Sequence, residues 1–184
     1  YPISCAFCSI ASAYPYSPSV PSSSSQSPTS TSPALSSSIP SNPDITKLQP
    51  SCCLVLSAPN VMAFLDIMPM TEGHLLVTCR PHREKVADMQ PEESSDVGFW
   101  LPLLAKTVAK VTGVTDYNIV QNNGIRAAQV VPHVHFHIIP RPGHVPELKS
   151  RSWTMFGRGQ REDLDDEEGE KLAEEMRRVL AEEV

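Results

Sequence analysis

No run of this chain approaches eighteen consecutive apolar residues, so no membrane-spanning helix is expected. No basic stretch followed by an apolar one resembles a secretory leader. Positive charge is not in excess: 15 Lys and Arg face 21 Asp and Glu, a formal charge of −6. The surplus acid sits at one end. Arg161 to Val184 holds eleven acids and four bases, while the remainder holds ten and eleven and is close to neutral. A broad electrostatic surface for nucleic acid is therefore not expected, although a few donors could still hold a small anion. A disulfide framework is also absent. The five cysteines, Cys5, Cys8, Cys52, Cys53 and Cys79, are odd in number and two are adjacent, which fits a reducing intracellular compartment. Cytoplasm or nucleus is expected, with the mitochondrion left open. No repeat implies a solenoid, and 184 residues suffice for one domain of ordinary size.

What is present divides into distinct stretches. Between Pro15 and Pro50, thirteen of 36 residues are Ser and eight are Pro, with only Asp44 and Lys47 charged. Such a stretch buries too little apolar surface to offset its ordering entropy, so residues 15–50 are expected to be a disordered or loosely packed insertion. Strands are expected at Cys53–Leu56, Val61–Leu65, His74–Thr78 and Tyr117–Gln121, punctuated by Ala58-Pro59-Asn60, Met68–Gly73 and Asn122-Asn123-Gly124. Pro91-Glu92-Glu93 opens a helix whose apolar positions, Val97, Trp100, Leu101, Leu104, Val108 and Val111, follow helical spacing until Thr112-Gly113. Asp163 to Glu183 reads as a second helix, with Leu172, Met176, Val179 and Leu180 on one face and a solvated acidic face opposite. The sum is an α+β fold: about five antiparallel strands, one main helix and a C-terminal helix.

The stretch His133-Val134-His135-Phe136-His137-Ile138-Ile139-Pro140 carries the chemistry. On a strand, side chains alternate between faces, so the three imidazoles share one face and Val134, Phe136 and Ile138 the other. One metal ion cannot take all three, because positions i to i+4 of a strand span about 13 Å. Two of them could chelate with bending, all three could be satisfied structural histidines, or one imidazole could attack while its neighbours hold the substrate. Upstream, Asn122-Asn123-Gly124 and Gln129 offer amides suited to phosphate contact, or an ordinary turn. Read alone, Cys5-Ala6-Phe7-Cys8 leaves a metal site, buried thiols or a redox pair open. Asp66 reads equally as a turn cap, and Phe64 as plain core.

These segments together resemble the histidine triad (HIT) family, in its nucleotide-binding branch with an N-terminal C-x-x-C. The resemblance rests on Cys5–Ser9, Ala63-Phe64-Leu65-Asp66-Ile67, Glu72-Gly73-His74-Leu75-Leu76-Val77, Asn122-Asn123-Gly124 and the histidine run through Arg141. It implies the HIT-like fold and a nucleotide hydrolase working through a covalent nucleotidyl-histidine, on adenosine 5′-phosphoramidates or related adenylylated compounds. His135 would be the nucleophile, with His137 and His74 binding phosphate oxygens and aiding the leaving group. Asn122 and Gln129 would position the phosphate, Asp66 would accept from the ribose hydroxyls, and Phe64 and Ile67 would line the nucleoside pocket. A purine nucleotide of AMP type and a second copy of the chain would be the partners. Cys5, Cys8, His82 and His133 would hold a structural zinc. Alternatives are a dinucleoside polyphosphate hydrolase, or a non-catalytic nucleotide-binding scaffold using its Ser/Pro segment. One departure bears on mechanism. Where relatives carry Gly-Gln and then Ser, Thr or Glu, this chain has Ala128-Gln129-Val130, and a valine cannot donate a proton to a departing group. The expected divisions are residues 1–14 for the C-x-x-C segment, 15–50 for the insertion, 51–145 for the catalytic core and 146–184 for a C-terminal extension. His144 is expected on a surface loop.

Overall fold

The computed structural model describes residues 5–17, 33–143 and 162–184. The rest of the expected insertion (18–32), the stretch 144–161 and His144 lie outside the described residues. In chain order the elements are α1 (Ala6–Ala13), a short α2 (Pro33–Ser36), β1 (Leu54–Ser57), β2 (Val61–Leu65), β3 (Leu75–Cys79), α3 (Pro91–Thr112), β4 (Tyr117–Gln121), β5 (His135–Pro140) and α4 (Asp166–Ala181). The strands form one sheet in the order β1-β2-β3-β5-β4, with every neighbouring pair antiparallel. The α+β architecture expected from sequence is the one observed. No helix among the described residues is long and apolar enough to cross a membrane.

The two faces of the sheet have different covers. Val55, Ala63, Leu65, Leu75, Val77, Val134 and Ile138 face α3 and α4 in one core, joined by Trp100, Leu104, Val108, Met176 and Leu180. Leu54, Met62, Phe64 and Leu76 face the other way and meet Phe7, Cys8, Ala11 and Tyr14 of α1 and its end. This two-sided cover explains why β1 to β3 are buried at every position instead of alternating. Each large side chain so buried contributes roughly 1.5–3 kcal/mol.

Local chemistry sets the element ends. The Gln90 N–H donates to Glu93 Oε2 at 2.8 Å, satisfying an open donor at the start of α3. Gly113 stops the helix at φ +67°, a left-handed conformation glycine adopts without a Cβ clash.

β1 and β3 are each shifted by one residue from their expected bounds, and α4 is shorter at both ends than expected; the structure differs further in three places. Helix α1 was not anticipated, because only eight residues long it carries little periodic signal. Residues 33–50 pack on the domain despite their Ser/Pro composition: Ile45 is buried, Leu35 and Ile39 lie against the core, and the Ser57 N–H donates to the Ser38 carbonyl at 2.8 Å. Three spaced aliphatics and borrowed backbone partners suffice there. Strand β5 begins at His135, two residues after the start of the histidine run, since the Val134 N–H is taken by the Arg83 carbonyl at 2.7 Å.

Candidate active site and metal centre

Strands β3 and β5 lie side by side, with Leu76 opposite His137 and Thr78 opposite His135. His74, one residue before β3, therefore comes level with the histidine strand. Its Nε2 lies 3.0 Å from His137 Nδ1, and the His135 and His137 rings are 4.8 Å apart at 71°. His135 and His137 share a face, as strand alternation predicts; His133, expected on the same strand, lies before it.

The tautomers follow from the partners. His135 Nδ1 lies 2.6 Å from the His133 carbonyl oxygen. A carbonyl only accepts, so Nδ1 carries the proton and Nε2 is left with its lone pair. Burial lowers the His135 pKa from its ordinary value, favouring this neutral form. His74 Nδ1 accepts the Met70 N–H at 3.2 Å, which leaves Nε2 to donate to His137 Nδ1. The Asp66 carboxylate stands 3.4 Å from His74 Nδ1 and accepts the Met68 N–H at 2.9 Å through its other oxygen. It is placed to pair with His74 whenever that ring takes a second proton.

A second cluster lies beside the first. Cys5 Sγ is 3.4 Å from His133 Nδ1, Cys8 Sγ is 3.6 Å from the same atom, and Cys8 Sγ is 3.3 Å from His82 Nδ1. All four ligand atoms lie within 4.8 Å of one another, a set that can hold a metal ion. His133 Nε2 donates to the Cys79 carbonyl at 2.8 Å, which turns the lone pair of Nδ1 toward the thiols, as outer partners of metal-binding histidines commonly do. Burial pushes the His133 pKa down to about 4, so the ring is neutral at pH 7. Burial, with a contribution from Cys5, pushes the Cys8 thiol up to about 12 in the absence of a metal.

Helix α1 is locked in place by Arg80. Its buried guanidinium donates to the carbonyls of Ala58, Ala11 and Tyr14 and to Ser57 Oγ, at 2.7 to 3.1 Å. A buried charge persists only with such acceptors.

The profile of the HIT domain family matches residues 47–144, more than half of the chain. The chain belongs to the HIT family. An adenosine 5′-monophosphoramidase of Schizosaccharomyces pombe is 48% identical over 81 residues, covering 44% of this chain and 58% of the relative. An asymmetrical bis(5′-nucleosyl)-tetraphosphatase of the same yeast is 35% identical over 79 residues, 43% of each chain. The chain thus spans about half the length of these relatives. A zinc-bound histidine triad family protein from Mycobacterium smegmatis superposes with a TM-score of 0.57 at 26% identity, over 71% of this chain and 85% of that one.

Within this HIT chain, the remaining residues singled out from sequence fall on two loops, apart from Phe64 on β2. Asn122 and Gln129 lie on the loop before β5, both nearly buried. The Gln129 amide is engaged at both ends: Oε1 accepts the Gly124 N–H and Nε2 donates to the Glu84 carbonyl at 2.7 Å. Asn123 Oδ1 adds a third tie, accepting the Val86 N–H at 3.0 Å. Gln129 thereby shapes the loop. Ile67 lies on the loop after β2 and is half-exposed, while Phe64 is buried.

Sequence reasoning missed Phe7. Its ring meets His135 at 5.1 Å, Phe64 at 5.2 Å and His133 at 5.8 Å, all edge-on. The signal was an aromatic held between two cysteines. Phe7 joins the metal-ligand helix to the proposed nucleophile and its pocket.

Ala128 takes φ +63°, the one described non-glycine residue with positive φ. Glycine suits that conformation, whereas a Cβ strains it. Ala128→Gly is expected to raise stability by about 0.5–1 kcal/mol, after allowing for glycine's freer unfolded chain. An unchanged or lowered denaturation midpoint would contradict this account.

Proposed function

We propose that this HIT protein hydrolyses adenosine 5′-phosphoramidates or related adenylylated compounds through a nucleotidyl-histidine. The observation that carries this reading is the 2.6 Å contact from His135 Nδ1 to the His133 carbonyl, which aims the Nε2 lone pair onto the face shared with His137 and His74. Nε2 attacks the α-phosphorus. A P–N bond to His135 forms as the bond to the leaving group breaks, and the leaving group carries away the electron pair. The relay from His74 Nε2 to His137 Nδ1 leaves His137 Nε2 as a donor for a phosphoryl oxygen or the departing atom. Water then attacks the same phosphorus and gives a proton to His137 Nε2, replacing the one delivered to the leaving group; the P–N bond breaks with its electron pair returning to His135 Nε2, and AMP leaves. Asp66 would accept from the ribose hydroxyls, and Phe64 and Ile67 would flank the nucleoside.

The metal is proposed to be zinc, held for structure by Cys5, Cys8, His82 and His133. Tetrahedral zinc, with bonds of about 2.3 Å to sulfur and 2.05 Å to nitrogen, separates S from N by about 3.6 Å. The observed separations of 3.3, 3.4 and 3.6 Å fit without moving the backbone. A homodimer is also proposed, supported by the unpaired edge of β4, where Tyr117 and Ile119 are exposed. Five free thiols fit a reducing intracellular compartment.

A second reading has its own support. Val130, on the loop before β5, is 90% exposed and has no proton to give. An amine needs a proton to depart, whereas a polyphosphate leaves as an anion. Dinucleoside polyphosphates are therefore the competing substrates. Comparing kcat/KM for an adenosine 5′-phosphoramidate and a diadenosine polyphosphate decides between them. The first reading expects the phosphoramidate to be favoured at least tenfold, and it fails if the order reverses.

A further inference from the structure

The loop from Asp66 to His74, between β2 and β3, carries the proposed ribose acceptor, one side of the nucleoside pocket and one active-site histidine. It closes on itself through the Asp66 N–H, which donates to the His74 carbonyl at 3.0 Å. Further contacts come from a part of the chain that the family profile does not reach. The Leu164 N–H donates to the Ile67 carbonyl at 2.9 Å. At the other end of the loop, Gly73 takes φ +80°; a Cβ there would meet Thr112 Cγ2 of α3 first, at 2.5 Å, with Met176 Cε of α4 and Pro140 Cγ at an ordinary contact distance of 3.5 Å. The Leu164 hydrogen bond is the tie that holds the loop's backbone from outside.

The element that supplies it is itself firmly seated. Leu164 directly precedes Asp165, whose carboxylate caps α4 by accepting the Glu167 and Glu168 N–H groups. Ser51 Oγ donates to Asp166 Oδ2 at 3.0 Å, and Arg177 Nη1 donates to the Leu54 carbonyl at 2.7 Å. Met176 and Leu180 are fully buried. The loop, by contrast, has Ile67 and Met68 nearly half exposed, and its own side chains contribute little core. Its binding conformation depends on what holds its backbone.

We propose that the segment from Leu164 through α4 positions the nucleoside-binding loop, with Leu164 a positioning residue acting through the Ile67 carbonyl. The inference rests on the nucleotide reading of Asp66 and Ile67. Apparent affinity scales with the fraction of molecules whose loop is already in the binding conformation. Losing the Leu164 tie therefore weakens nucleotide binding while leaving the histidines and the chemical step in place.

The test uses the full chain and AMP as the probe, titrated calorimetrically well below the melting transition. Leu164→Pro deletes the N–H. Leu164→Ala keeps it while trimming the side chain that packs against Gly169. If the competent fraction falls to about a tenth, Leu164→Pro weakens AMP binding about tenfold, and KM rises with kcat little changed. Leu164→Ala loses thermal stability but binds AMP within about twofold of the parent chain. Should Leu164→Pro not fold, an ester in place of the Asp163–Leu164 amide, introduced by ligating a synthetic C-terminal segment, removes the same N–H without a ring. Equal AMP affinity with and without that N–H overturns the proposal, as does a loss shared equally by Leu164→Ala, which would make the role structural only. Absence of AMP binding by the parent chain overturns the nucleotide reading itself, and this inference with it.

Discussion

His135→Ala is expected to lower turnover of an adenylylated substrate by roughly four to six orders of magnitude, the scale on which removal of a covalent nucleophile is felt. Parent protein quenched in denaturant at alkaline pH, where a P–N bond to imidazole survives, is expected to carry one AMP moiety per modified chain, and the variant none. The size follows from the geometry. His135 is the ring whose Nδ1 is pinned by a backbone carbonyl and whose Nε2 is left with its lone pair, and burial keeps it neutral. His137 cannot substitute, since its Nδ1 is engaged by His74. His137→Ala is expected to cost less, about two to four orders of magnitude, as suits a group that moves a proton and steadies charge. Activity retained in His135→Ala would sink the mechanism. Activity lost without any trapped adduct in the parent chain would instead point to direct attack by water.

Stripping the metal centre is expected to have the largest effect on stability. Metal present at a thousand times its Kd contributes about 4 kcal/mol, and 1 kcal/mol moves Tm by about 2–4 °C in a chain of this size. Chelation, or Cys8→Ser, is therefore expected to lower Tm by roughly 8–16 °C. Helix α1 brings two of the ligands, Cys5 and Cys8, onto the sheet, so it is the element expected to loosen first, carrying Phe7 away from His135. The pH dependence has a definite sign. With its metal-free pKa held near 12, the Cys8 thiol must give up its proton on binding, so metal affinity falls as pH falls. His133, at about 4, is already neutral across pH 5–8 and adds no competing proton there. The loss of Tm on chelation therefore shrinks toward acid pH. An identical Tm with and without chelator at pH 8, in protein shown by elemental analysis to have carried metal, would contradict the structural role.

Much of the architecture was legible because its signals are periodic and local. Val61–Leu65 and Tyr117–Gln121 were read to the residue, as was α3 between its opening proline and Gly113. Helix α1 was not legible, because eight residues with two serines give no periodic signal and its stability comes from Phe7, Ala11 and the Arg80 guanidinium meeting the sheet. Ordered packing of residues 33–50 escaped for a related reason: composition averages over the three aliphatics that find a core.

The sequence alone put His135 and His137 on one face, since alternation along a strand places them together whatever the strand packs on. It could not divide their labour. That division is tertiary. The Cys5 and Cys8 thiols approach His133 only once α1 folds back over the sheet, whereas His82 reaches His133, and His74 reaches His137, because β3 pairs with β5 in one register. Whether an imidazole faces thiolates or a proton relay depends on groups dozens of residues away in the chain, and only the folded backbone brings them within bonding distance.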